Sequence, residues 1–105
     1  MKRFTSAMFF LLFTTMGISA FAQDSPEAMY KAKCAACHGP DGAGGTAAGK
    51  KLGAKDFHSP AVTAMSDGDL VDITKNGKDK MPAYGKSLTD VQINAVVKYI
   101  RAMKP

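Results

Sequence analysis

Cys34-Ala35-Ala36-Cys37-His38 is the stretch on which the reading of this chain turns. Two cysteines three positions apart, followed at once by a histidine, form the C-x-x-C-H string through which c-type haem is attached. The spacing has a physical basis. At a helix end, two such thiols can each add to one vinyl group of a porphyrin while the adjoining imidazole turns beneath the ring to bind iron. A disulfide or a redox-active dithiol would use the same cysteines, but both leave His38 without a task, and a thioredoxin-like site needs a βαβ setting that the sequence lacks. A zinc site would need a second pair of ligands at suitable spacing. The expectation is one covalent haem c, linked through Cys34 and Cys37, with His38 as proximal iron ligand.

A second axial position then has to be filled or left open, and the candidates are His58, Met29, Met65, Met81 and Met103. Met29 and Met103 fall in helical stripes and read as core, the ordinary use of a flexible apolar side chain. Met65 directly precedes a helix cap and reads as packing there. His58 lies beside Pro60 and reads as a solvated or capping side chain. Met81 stands apart, an apolar residue inside the polar run Asn76–Gly85 with no helical stripe to join. Pro82 stiffens the segment behind it, which suits a strap that presents one side chain inward. Met81 is therefore the expected distal ligand.

Outward from the string, the chain punctuates itself as helices. Ser25-Pro26-Glu27 gives an N-cap, a proline at the first helical position and an acid in the first turn, and the helix they start runs towards Cys34 with Tyr30 on the same face. Residues Gly39 to Lys55 hold six glycines and fit neither helix nor strand period, so they read as a loop. Ser59-Pro60 begins one short helical turn. Ser66 with Asp69 begins a longer helix that turns Leu70 and Ile73 inward and stops at Asn76-Gly77. Thr89 with Gln92 is a capping box, Leu88 and Ile93 fit a hydrophobic staple, and Ile93, Val96, Val97, Ile100 and Met103 form a stripe of helical period, giving a last helix from about Asp90 to Met103. No strand alternation, repeat or low-complexity tract appears, so the class is all-α.

The chain has 105 residues, 14 Lys or Arg against 9 Asp or Glu, and no Trp, which allows one small domain. Residues 1–22 read as a cleaved export signal, because Lys2 and Arg3 precede the apolar run Ala7–Phe13 and Ala20-Phe21-Ala22 offers a small-residue cleavage site. That run is too short to span a bilayer. The remaining domain, 23–105, is poor in large apolar side chains, and folds of this size usually need a staple. The haem would supply the missing apolar bulk. Without Lys2 and Arg3 the charge excess is mild, and no aromatic and basic interleaving of the kind that stacks bases is present, which argues against nucleic acid.

Taken together, Tyr30, the Cys34–His38 string with Gly39, Asp41-Gly42, Asn76-Gly77 leading to Met81-Pro82-Ala83-Tyr84, and a closing helix with Tyr99 resemble the small bacterial class I c-type cytochromes, near the cytochrome c6-like and cbb3-oxidase-associated monohaem domains. The resemblance covers nearly all of residues 25–103. It implies a class I cytochrome c fold, three to five helices around one haem, with the first and last helices crossing near Tyr30, Val96, Tyr99 and Ile100. The chain departs from the pattern at Pro26, where many relatives have Gly. It also has no proline placed to offer its carbonyl to the second nitrogen of His38, a task for some other backbone carbonyl.

With His38 and Met81 filling both axial positions there is no vacancy for a substrate, and the iron changes charge without changing partners. The expected function is that of a soluble, periplasmic, monomeric one-electron carrier, not an enzyme, working between exported or membrane-bound redox proteins such as a terminal oxidase. Lys75, Lys78, Lys80 and Lys86 surround Met81 with only Asp79 opposing them, a cluster that would either steer an acidic docking surface or stay a solvated face. Two rivals use the same residues: a peroxidase or gas sensor with an open or labile sixth site, and a dedicated electron-entry partner of a single dehydrogenase or oxidase.

Overall fold

The computed structural model describes residues 25–104; the expected export signal, residues 1–22, lies outside them. Six helices follow in order, α1 Pro26–Lys33, α2 Ala35–His38, α3 Ala47–Leu52, α4 Pro60–Thr63, α5 Asp67–Asn76 and α6 Asp90–Ala102. Among the described residues there is no strand, only an isolated bridge between Lys78 and Met81.

Helices α1, α3, α5 and α6 begin where side chains can satisfy the free amides of a first turn. Ser25 accepts from the Ala28 amide at 3.2 Å with Pro26 at the first helical position. Ser66 with Asp69, and Thr89 with Gln92, each close a reciprocal capping box. Gly77, at φ 78°, ends α5 in a conformation that a side chain resists. The Cys34 backbone leaves the helical path at φ −117°, so that α2 starts again as a single turn on a new axis.

The longest helix, α6, packs on both α1 and α5. Its inner face supplies Ile93, Val96 and Val97, all nearly inaccessible, and Met29, Leu88 and Ile93 meet Val96 in one cluster bordered by Cys34, Val71, Tyr84 and Ile100. Leu88 and Ile93 thus meet as the staple requires. Tyr30 is buried and its ring lies 5.5 Å from that of Tyr99, which marks the α1–α6 crossing where the resemblance put it.

Three details differ from the sequence expectation. Six helices stand where three to five were expected, because α2 and α4 are single turns. The segment 39–55 is not all loop: α3 forms inside it, with the Thr46 hydroxyl accepting from the Gly49 amide and Gly53 in the left-handed conformation closing the end. The glycines that suggested a loop include one that is a packing requirement, for a Cβ on Gly49 would lie 2.1 Å from the Cys37 carbonyl oxygen. Finally, α6 ends at Ala102, and Met103 continues in extended conformation beyond the helical stripe.

Gly49→Ala is expected to cost about 2 to 3 kcal/mol, because the obstacle is backbone and cannot rotate away. Gly45→Ala, where an added methyl meets nothing within 4 Å, should stay within about 0.5 kcal/mol of wild type. Denaturant unfolding of the two variants checks the contrast.

Candidate haem site

The Cys34–His38 turn is held from several sides. The Tyr30 hydroxyl donates to the Gly39 carbonyl at 2.5 Å, and the Gly44 amide donates to the His38 carbonyl at 2.8 Å. The Thr46 hydroxyl lies 2.8 Å from the Ala36 carbonyl oxygen and 3.1 Å from that of Cys37, so the residue that caps α3 also ties α3 to the end of α2. These bonds satisfy carbonyls that a one-turn helix leaves open.

His38 is oriented by a backbone atom. Its Nδ1 lies 3.0 Å from the Lys55 carbonyl oxygen; a carbonyl only accepts, so Nδ1 carries the proton and Nε2 keeps the lone pair a metal needs. Burial holds the imidazole below its ordinary pKa, partly offset by that same carbonyl, and burial being the larger effect, the balance favours the neutral ring. Phe57 stacks on it with ring centroids 4.4 Å apart. Lys55 thus performs the role that no proline was placed to fill. No side-chain pattern could have singled it out, because the acting group is the backbone oxygen.

His38, Cys34 and Met81 all open onto one cleft, whose wall is made by Phe57, Val62, Met65, Leu70, Ile73, Thr74, Val96, Val97 and Ile100, with Lys55 the charged residue on its lining. The inward turn of Leu70 and Ile73 read from the sequence is therefore towards this cleft. Cys34 and Cys37 are free thiols, not joined to each other. Burial pushes the Cys34 thiol up to about 11, so at neutral pH it is a neutral, poorly nucleophilic group. An apolar slot with the Cys34 thiol on its wall, Cys37 three residues further along the same turn, a metal-ready imidazole and a thioether fits an iron porphyrin, since each donor is a type that such a cofactor uses.

The remaining axial candidates divide. Met29 is core, as expected. Met65 lines the cleft in addition to preceding the Ser66 cap, a placement that its position in sequence did not disclose. Met103 and His58 line a different cavity of about 290 Å³, bounded also by Phe57, Val62, Thr63, Ile100 and Arg101. His58 is not a solvated side chain: its Nδ1 lies 2.9 Å from Asp56 Oδ1, and its Nε2 is buried without a hydrogen-bond partner.

The strap that carries Met81 hangs from α5. Lys78 and Met81 exchange backbone hydrogen bonds of 3.1 and 2.9 Å around Asp79 at φ 52°, and the Tyr84 and Gly85 amides donate to the Thr74 and Lys75 carbonyls at 2.9 and 3.0 Å. The lysine cluster is smaller than the sequence suggested, because Lys75 Nζ lies 3.0 Å from Asp90. Lys78, Lys80 and Lys86 remain exposed around the strap.

Comparison with known proteins points the same way. Residues 21–100 match the family described as cytochrome c oxidase, cbb3-type, subunit III. A cytochrome c6 of Rippkaea orientalis (strain PCC 8801 / RF-1) is 36% identical, the alignment covering 97% of this chain and 94% of that protein. The cbb3-type cytochrome c oxidase subunit CcoP of Azospirillum brasilense is 33% identical over 90% of this chain, which spans 32% of that longer protein. Among solved structures, the KustC0563 c-type cytochrome superposes with a TM-score of 0.70 at 29% identity, covering 77% of this chain and 99% of that one.

Replacing Thr46 by Val removes the cap of α3 and both contacts to α2 while keeping the volume of the side chain. The unfolding free energy is expected to fall by about 2 kcal/mol, read as a lower denaturant midpoint with an unchanged slope.

Proposed function

The chain belongs to the small monohaem class I c-type cytochromes and carries a covalent haem c, and from that premise we propose that it is a one-electron carrier whose iron is held between His38 and Met81. The observation that carries this reading is the single apolar cleft onto which Cys34, His38 and Met81 all open. When bound, the haem supplies a one-electron iron couple between the ferric and ferrous states.

The residues divide the remaining work. Cys34 and Cys37 would form the thioether links, which would keep the cofactor in place independently of His38 and Met81. His38 offers Nε2 with its proton parked on Nδ1 against the Lys55 carbonyl. Met81 offers a neutral sulfur, a softer donor that favours the ferrous state relative to a second imidazole and so raises the potential. Leu70, Ile73, Val96, Val97 and Ile100 exclude water from the slot, which limits the solvent reorganisation that accompanies a change of charge. With His38 and Met81 both holding the haem, neither residue's side of the iron would be open to a substrate, in keeping with a carrier and not an enzyme.

Export follows if residues 1–22 are removed as a signal, leaving residues 23–105 in the periplasm. No helix of the described residues is long and apolar enough to cross a membrane. Lys78, Lys80 and Lys86 beside the Met81 strap would meet an acidic face on a donor or acceptor, a terminal oxidase among them; surface charge of this kind raises encounter rates more than it raises affinity. The CcoP relative supports an oxidase-linked setting.

Spectroscopy of the oxidised holoprotein tests the axial pair. Met81→Ala should abolish the weak sulfur-to-iron band at the red end of the spectrum, and Met65→Ala, although Met65 also lines the cleft, should leave it intact. The opposite pattern moves the ligand to Met65. Cys34→Ala should yield less holoprotein, and mass analysis should find the haem on one thioether at most.

A further inference from the structure

The backbone bonds that fix the strap all return to α5 or to the strap itself. The Gly77 amide donates to Ile73, Lys78 and Met81 bond to each other, and Tyr84 and Gly85 donate to Thr74 and Lys75. They set Met81 relative to α5 and leave open its distance from the helix that bears the thiols. The Tyr84 side chain spans that gap. Its hydroxyl donates to the Lys33 carbonyl at 2.9 Å, across 51 residues of sequence.

That carbonyl is available for a definite reason. Lys33 is the last residue of α1, and the amide that would have continued the helical ladder, that of Cys37, is turned to the Cys34 carbonyl at 3.2 Å instead. The break that starts the attachment turn thus leaves the preceding oxygen exposed to a partner from elsewhere. The Tyr84 ring packs beside Cys34 at the edge of the core, and burial, with both thiols nearby, raises its phenol above the ordinary pKa, so the hydroxyl stays a donor at neutral pH.

We propose that Tyr84 is a positioning residue for the sulfur ligand: its hydroxyl latches the strap to the end of α1 and so sets the separation between Met81 and the haem-bearing turn. This rests on the reading of Met81 as distal ligand. A neutral thioether is an axial ligand that an exogenous molecule can displace, and displacement requires the segment carrying it to move away. The latch opposes that motion directly. Without it the displaced arrangement becomes more populated by roughly the net worth of one hydrogen bond, about fivefold.

The test uses Tyr84→Phe holoprotein, which keeps the ring and its packing. Carbon monoxide binding to the ferrous form and imidazole binding to the ferric form should both strengthen about fivefold, with the red-end band still present in the unliganded ferric spectrum. Thr89→Ala, which removes the α6 cap and leaves the bond from Tyr84 to Lys33 in place, serves as a variant of comparable stability loss and should bind both ligands as wild type does. Ligand binding unchanged in Tyr84→Phe, or strengthened equally in Thr89→Ala, overturns the latch. Met81→Ala separates the two levels: if it keeps the band, the ligand assignment and the latch fail together; if it loses the band while Tyr84→Phe matches wild type, the latch alone fails.

Discussion

The hydrogen bond between His38 Nδ1 and the Lys55 carbonyl, 3.0 Å long, constrains more of this molecule than any other single contact. It joins the turn bearing the two cysteines to a residue seventeen positions on, and everything between has to be arranged so that it can form. Gly44 must approach the backbone at Ala54, where a Cβ would lie 2.7 Å from the carbonyl oxygen. Gly49 must let α3 lie against Cys37, and the Ala54 amide must return to the Gly49 carbonyl at 2.8 Å. Gly44 and Gly49 are thus conditions for bringing Lys55 to His38, with Phe57 stacking on the imidazole two residues later.

That dependence explains what could and could not be read from the sequence. Helix starts were legible at Ser25, Ser66 and Thr89, where a hydroxyl stands three residues before the amide it receives and a proline or a capping-box partner follows, because the capping interaction is local. The haem string was legible for the same reason: its chemistry needs neighbouring residues at fixed spacing. Helix α3 was hidden because Gly49, in isolation, weakens a helix by about 1 kcal/mol relative to Ala, and the reason for a glycine there is a contact with another helix. Lys55 was hidden because its backbone acts, and the Lys75–Asp90 pair because its members meet only after α5 and α6 have packed. The wall position of Met65 and the burial of His58 are likewise tertiary facts.

The hydrophobic interior shows why a cofactor is part of this fold. The core cluster is Met29, Leu88, Ile93 and Val96 with a border of half-buried neighbours, and Val96 also reaches the cleft. Helix α6 therefore serves two apolar spaces at once, burying Ile93 against protein while Val97 and Ile100 line the slot. A chain of this length gains little more from enlarging the first space. Filling the second with a porphyrin buries the exposed faces of α5 and α6 without further polypeptide, so the same residues that stabilise the domain also keep the iron dry.

The two proposed axial ligands are supported in unequal ways, and the inequality bears on how the site would open. His38 is contiguous with both thioether positions and is held by Lys55, Phe57 and the bond from Gly44 to its own carbonyl, so losing it would require the attachment turn itself to come apart. Met81 sits on a strap with exposed lysines on either side, whose backbone is fixed to α5 alone and whose tie to the attachment side is a single phenolic hydroxyl. A fluctuation that separates the ligands therefore costs least when the strap lifts and the turn stays. The same asymmetry suits a carrier, because the attachment side would keep the cofactor registered while the strap side accommodates small movements.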